Sequence, residues 1–102
     1  MVRINHYELI WDAAALDQLE DYLEEVSKQS KSAPKIIRDR IMNRLKGIKE
    51  APYICSLDRF KINNDGTYRA FTVYSYRVTY SIKKNQINII RIRHTSKEPL
   101  EH

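Results

Sequence analysis

Arg77 is the residue whose type and setting most suggest chemistry. It lies in the run Tyr76-Arg77-Val78-Thr79-Tyr80-Ser81-Ile82. As a strand, this run puts Tyr76, Val78, Tyr80 and Ile82 on one face and Arg77, Thr79 and Ser81 on the other. A long cation at a regular mid-strand position must face water, a ligand or a partner, and a guanidinium grips phosphate or carboxylate with a two-pronged fork. In the following run, Gln86 to Arg93, Ile90 and Ile92 are expected to point into the core, which sends Ile89, Arg91 and Arg93 outward. Arg69 is expected near the same end or rim of the sheet, and Lys97 beyond the last strand. Arg69, Arg77, Arg91, Arg93 and Lys97 thus outline a cationic surface suited to an anionic target or partner. His94, at the end of the last strand, is the one titratable group placed for general acid or base work; its alternative is a strand-end residue that hydrogen-bonds locally.

Other chemistries find little support. Asp65 sits in a turn and Glu98 near the terminus, so no catalytic carboxylate pair joins this region, and the acids of the N-terminal third read as a solvated helix face. Ser75, Ser81 and Ser96 have no arrangement that marks a nucleophile. HExxH, CxxC, P-loop and dinucleotide-binding patterns do not occur, so neither a metal nor a cofactor is expected. The single Cys55 cannot form an internal disulfide and reads as a small buried hydrophobe. Tyr68, Tyr74, Tyr76 and Tyr80 have faces that bases could stack on, but Tyr76 and Tyr80 fall on the core-side register, where packing is their job.

The elements that must position these residues follow from periodicity. Val2 to Ile10 is rich in β-branched and aromatic residues and reads as a strand. Asp12 serves as N-cap of a helix in which Leu16, Leu19, Leu23 and Val26 share a face. Ser32-Ala33-Pro34 opens a second helix, whose stripe is Ile37, Ile41, Leu45 and Ile48, widened by Ile36 and Met42. Gly47 weakens its last turn by about 1 kcal/mol relative to alanine. Residues 51–67 are irregular and end in the polar turn Asn63-Asn64-Asp65-Gly66. Three strands follow: Tyr68 to Val73, a turn at Tyr74-Ser75, Tyr76 to Ile82, a loop Lys83-Lys84-Asn85, and Gln86 to Arg93. The order β-α-α-β-β-β specifies an α+β fold, with a helical hairpin packed on one face of a small, mostly antiparallel sheet and the other face left open.

At 102 residues, with 42% hydrophobic and 30% charged positions, the chain has room for one globular domain, assigned to residues 1–99. Leu100-Glu101-His102 resembles the start of a vector-encoded histidine tag, although Pro99-Leu100 could equally be native, and His102 receives no functional weight. The net charge of +5 is unevenly spread: acids dominate residues 1–25, bases dominate 26–49 and 51–102. Such polarity suits an anionic partner, either nucleic acid or an acidic protein segment. No run approaches the roughly 18 apolar residues of a membrane span, and the first ten residues lack the apolar block of a signal peptide. A cytoplasmic protein without a membrane partner is expected.

The runs SYRVTYSI (Ser75 to Ile82) and INIIRIRH (Ile87 to His94), after a two-helix N-terminal half, resemble the RelE/ParE superfamily of bacterial type II toxins. The resemblance covers nearly the whole chain. It implies a helical hairpin on a twisted antiparallel sheet, and a cognate acidic antitoxin whose partly disordered segment wraps the toxin. It leaves a homodimer open. In the ribonuclease branch, which cuts messenger RNA on the ribosome without a metal, Arg77 matches the arginine of the YRxxY strand and Arg69 a lysine of the preceding one. Where that branch has a second arginine and a tyrosine after the last strand, this chain has His94-Thr95-Ser96 and no tyrosine. The ending RHTSKEP is similar to the ParE-like branch of plasmid-stabilisation proteins, whose described members poison DNA gyrase. The resemblance therefore implies a gyrase inhibitor. The alternative is a ribosome-dependent endoribonuclease with Arg77 as phosphate binder and His94 as acid or base; a third reading is a non-toxic binding module.

Overall fold

The computed structural model describes residues 7–97 together with Glu101 and His102. The chain runs β1 (Glu8–Trp11), α1 (Ala13–Ser27), α2 (Ala33–Glu50), β2 (Tyr68–Val73), β3 (Tyr76–Lys83), β4 (Gln86–His94) and a 3₁₀ turn at Thr95–Lys97. The sheet order is β1-β4-β3-β2, with β1 parallel to β4 and the other pairs antiparallel. This is the expected order and architecture. Of the strand expected over Val2–Ile10, residues 1–6 lie outside the described residues, and the observed strand extends to Trp11.

Both helices form where their periodicity puts them. In α1 the buried residues are Ala15, Leu19 and Leu23, whereas Leu16 is 42% exposed. Leu16 was expected in the core; the stripe is one residue narrower there because the small Ala15 faces the sheet. Asp12 stands at the N-cap position and its carbonyl accepts the first helical bond from Leu16 N–H at 3.0 Å, but its side chain makes no capping bond. In α2, Ile37, Ile41, Leu45 and Ile48 are buried as expected, while Ile36 is exposed. The Ser30 hydroxyl accepts from Ala33 N–H at 3.2 Å, and Pro34 occupies the first turn, where its missing N–H costs nothing. The helix continues through Gly47 to Glu50.

Against these helices pack Phe71, Val73, Tyr76, Val78, Tyr80, Ile82, Ile87, Ile89 and Ile92. Here the structure corrects the register expected for the last strand. Tyr80 pairs with Ile89 but Thr79 with Arg91, so Ile90 is the extra residue of a β-bulge. The bulge shifts the alternation by one, which turns Ile89 inward at 0% exposure while Arg91 and Arg93 remain outward. Next to it, the Ile92 N–H donates to the Gln18 side-chain oxygen of α1 at 2.8 Å. The β3–β4 turn shrinks to Lys84-Asn85, with Lys84 at φ 54°.

The face opposite the helices was expected to be open. Instead it is partly covered by the connection between α2 and β2. That segment begins on the helix side, where the Tyr80 hydroxyl donates to the Pro52 carbonyl at 2.7 Å. It then passes the outer edge of β2, bridging Leu57 to Arg69 and exchanging Ala70 N–H to Ser56 O and Asp58 N–H to Tyr68 O. Beyond Asp58 it lies against the outer face, so Thr79 and Ser81 are buried although they point away from the helices.

Candidate functional site

The outer face of β3 and β4 holds the cations singled out in the sequence. Arg77 lies directly opposite Arg93, and Thr79 directly opposite Arg91. Like charges facing each other across a ladder are destabilising unless something offsets them. For Arg77 that something is Asp58: its carboxylate lies 3.4 Å from Arg77 Nη2 and the side chain is 1% exposed. The Arg77 guanidinium also stacks 5.0 Å from the centre of the Phe60 ring. Its side chain is only 16% exposed. Arg77 is therefore not the bare strand cation that alternation alone suggests, but a fastening point for the strap over the sheet.

Asp58 organises the rest. It accepts hydrogen bonds from the Phe60 N–H at 3.0 Å, the Thr79 hydroxyl at 3.2 Å and the His102 Nε2–H at 2.6 Å. Burial alone pushes its carboxyl pKa up. The hydrogen bonds from His102 and Phe60 and the charges of His102 and Arg77 outweigh that, so the carboxyl titrates below its ordinary 3.8. The His102 backbone adds a bond to Phe60 O at 2.9 Å and one from Ile62 N–H at 2.7 Å. His102, given no weight in the sequence, is thus a packing partner of the strap. Asp58 also escaped the sequence reading. Its one signal is an acid inside the non-periodic stretch Cys55-Ser56-Leu57-Asp58, where the register it would face is invisible.

The other candidates are distributed differently. Arg69 pairs with Tyr80 and so lies on the helix side, not with Arg77. Its guanidinium donates to the carbonyls of Gly66 at 3.1 Å, Cys55 at 2.9 Å and Tyr53 at 3.3 Å, and stacks 5.2 Å from the Tyr53 ring. These donors hold the start of the connection. Arg91 and Arg93 stay on the outer face, half-buried, and Arg93 Nε is buried without a hydrogen-bond acceptor among the described residues. The side chain of Lys97 lies outside the described part of the structure.

His94 pairs with Tyr76, so it too faces the helix side. Its ring stands edge-on to Tyr76 with centroids 5.4 Å apart. The Ser96 N–H donates to His94 Nδ1 at 3.1 Å, and the Ser96 hydroxyl lies 2.8 Å from the same atom. This is the local strand-end hydrogen bonding that stood as the alternative to acid–base work. Arg77 and His94, adjacent across the strand pair, point to opposite faces of the sheet. The structure unites Arg77, Arg91 and Arg93 on one face and separates Arg69 and His94 from them.

Chemically, the outer face offers guanidinium donors for carboxylate or phosphate. No group of His, Cys, Asp and Glu among the described residues is arranged to hold a metal ion. No helix among them is long and apolar enough to cross a membrane.

No curated protein sequence matches the chain. Among solved structures, a chain of the chromosomal ParDE TA system from P. aeruginosa is similar, with a TM-score of 0.69 and 17% identity over 89% of this chain and 98% of that one. At that identity the likeness shows the fold. The family model for the ParE toxin of the type II toxin-antitoxin system, parDE, matches residues 9–99. That match takes in both helices, all four strands but the first residue of β1, and the arginine-bearing face, and by it the chain belongs to the ParE toxin family of type II toxin-antitoxin systems.

Proposed function

We propose that this ParE-family toxin inhibits DNA gyrase in the cytoplasm and is neutralised by a cognate acidic antitoxin that engages the Arg77, Arg91 and Arg93 face, with Lys97 extending it. The observation that carries the reading is the separation of Arg77 and His94 to opposite sides of the sheet. A phosphate held at Arg77 would lie across the sheet from His94, and general acid–base work requires hydrogen-bond reach; the imidazole on Arg77's own side, His102, is bonded to Asp58 at 2.6 Å. The cations of the outer face instead form a surface that an anionic segment can cover. Membership of the family supports an antitoxin partner.

The test uses purified toxin with gyrase, ATP and supercoiled plasmid. Linear DNA released on denaturing the enzyme is expected, together with intact messenger in a translation reaction. Messenger cut only when ribosomes are present would overturn the reading in favour of a ribonuclease, and growth unaffected by expression of the toxin alone would leave a binding module.

A further inference from the structure

Arg40 and Arg44 of α2 are both exposed, and together with Thr72, Val73 and Tyr74 of the β2 end they line an open cleft of about 240 Å³. Four residues apart on a helix, like charges are neighbours and repel. Two aromatic rings nevertheless hold them in place: Arg40 Cζ lies 5.4 Å from the centre of the Tyr74 ring, and Arg44 Cζ 5.1 Å from that of Phe71. Tyr74 has φ 53°, a conformation that favours glycine, so the β2–β3 turn keeps a bulky ring against Arg40 in spite of its backbone preference. Stacking uses the face of a guanidinium and leaves the N–H groups in its plane available. Arg44 points one of them at a weak acceptor, Cys55 Sγ, at 3.6 Å. Among the described residues neither arginine is paired with a carboxylate.

The sheet adds a main-chain donor. The Ala70 N–H and the Tyr68 C=O point to the outer edge of β2, where Ser56 and Asp58 pair with them. Alternation puts the Thr72 N–H on the same edge, beyond the reach of the connection, which has turned away where Ile54 N–H donates to Ala51 O at 3.0 Å. The Thr72 N–H has no partner among the described residues. Helix and strand thus bring two cationic forks and a neutral donor to one cleft from different directions. A carboxylate is a poor match, because a single guanidinium fork satisfies both its oxygens. A phosphodiester carries a single charge. A phosphomonoester brings three acceptor oxygens and about two negative charges at neutral pH, which matches two arginines and an N–H. Arg44 also lines the adjoining cleft of about 340 Å³, whose walls include Ile48 and Ile54, so the organic group of such an ester has apolar surface to lie on.

We propose that this cleft binds a phosphomonoester, its phosphate gripped by Arg40 and Arg44 and by the Thr72 main-chain N–H. The assignment is independent of the gyrase reading, as none of the outer-face arginines takes part in it.

The experiment is an NMR titration of the full chain with phenyl phosphate at constant ionic strength, at about pH 7.5, above the second phosphate pKa of about 6. Saturable shifts of the Thr72 amide and of the Arg40 and Arg44 Nε–H signals are expected, with weaker binding of inorganic phosphate and little response to benzoate. Arg40→Gln and Arg44→Gln should each weaken binding about fivefold, the upper end for an exposed ion pair. Lys46→Gln, an exposed change on the same helix away from the cleft, should leave it unaltered. Absence of saturable shifts up to the probe's solubility limit would overturn the proposal. So would a loss in Lys46→Gln equal to that in Arg40→Gln, which would reduce the effect to general charge attraction, or benzoate binding as well as phenyl phosphate. Tighter binding of inorganic phosphate would overturn the ester and leave the free ion as the occupant.

Discussion

Replacing Arg77 by methionine removes the guanidinium while keeping an unbranched stem beside Phe60. Asp58 then retains the Phe60 N–H, the Thr79 hydroxyl and His102 as donors, so it is weakened but not stranded. A charge-assisted hydrogen bond contributes about 1.5–3 kcal/mol, and stacking of the cation on Phe60 about 0.5–1 kcal/mol. Two facts pull the sum down. The Arg77–Asp58 contact is long, at 3.4 Å, and relief of the opposition to Arg93 returns a few tenths of a kcal/mol. The expected loss is about 2 kcal/mol. For a domain of this size that lowers Tm by about 8–16 °C, and the urea midpoint should fall with an unchanged m-value. A double-mutant cycle with Asp58→Asn should return a coupling of about 1–2 kcal/mol. An Arg77→Met protein within about 0.5 kcal/mol of the parent, with no coupling to Asp58, would refute the reasoning and make Arg77 a solvated strand cation.

The same carboxylate makes a statement about acid. Its folded pKa lies below the ordinary 3.8, so between the two values the unfolded chain binds the proton more tightly. The stability it contributes is therefore fully present above 3.8 and is lost as pH falls through the folded value. Urea denaturation across that window should show a shallower acid decline for Asp58→Asn than for the parent, and parallel curves would contradict the assignment. In α2, a Cβ on Gly47 would meet nothing within 4 Å. Gly47→Ala should thus stabilise the protein by about 0.5–1 kcal/mol, seen as a Tm a few degrees higher; a lower Tm would show that the helix needs glycine there.

Much of the fold was legible because its signals are local. The spacing of Ile37, Ile41, Leu45 and Ile48, and the alternation from Tyr76 to Ile82, each specify an element and its buried face without reference to any other part of the chain. The failures share a different cause. Ile89 went to the wrong face because a bulge inserts a residue without changing composition, and strict alternation cannot register it. Arg69 was grouped with Arg77 although their pairing partners, Tyr80 and Thr72, lie on opposite faces. Asp58 was passed over because its role arises from the path of an irregular segment around the β2 edge, and such a path has no period to read. The acid and the arginine it holds are 19 residues apart, and only the folded chain brings them together.

The position of β4 has a consequence for how the molecule is made. This last strand does not lie at the rim of the sheet; it sits between β1 and β3, and Glu8 near the start of the chain pairs with Gln86 near its end. A nascent chain still lacking β4 holds two amphipathic helices, a β2–β3 hairpin and an unmatched β1, with nothing to join them into one sheet. Contacts between such distant segments form late, after the loop between them has closed. The arginine-bearing surface is therefore assembled only after β4 has been made and has paired with β3, and a polypeptide still lacking β4 does not display it.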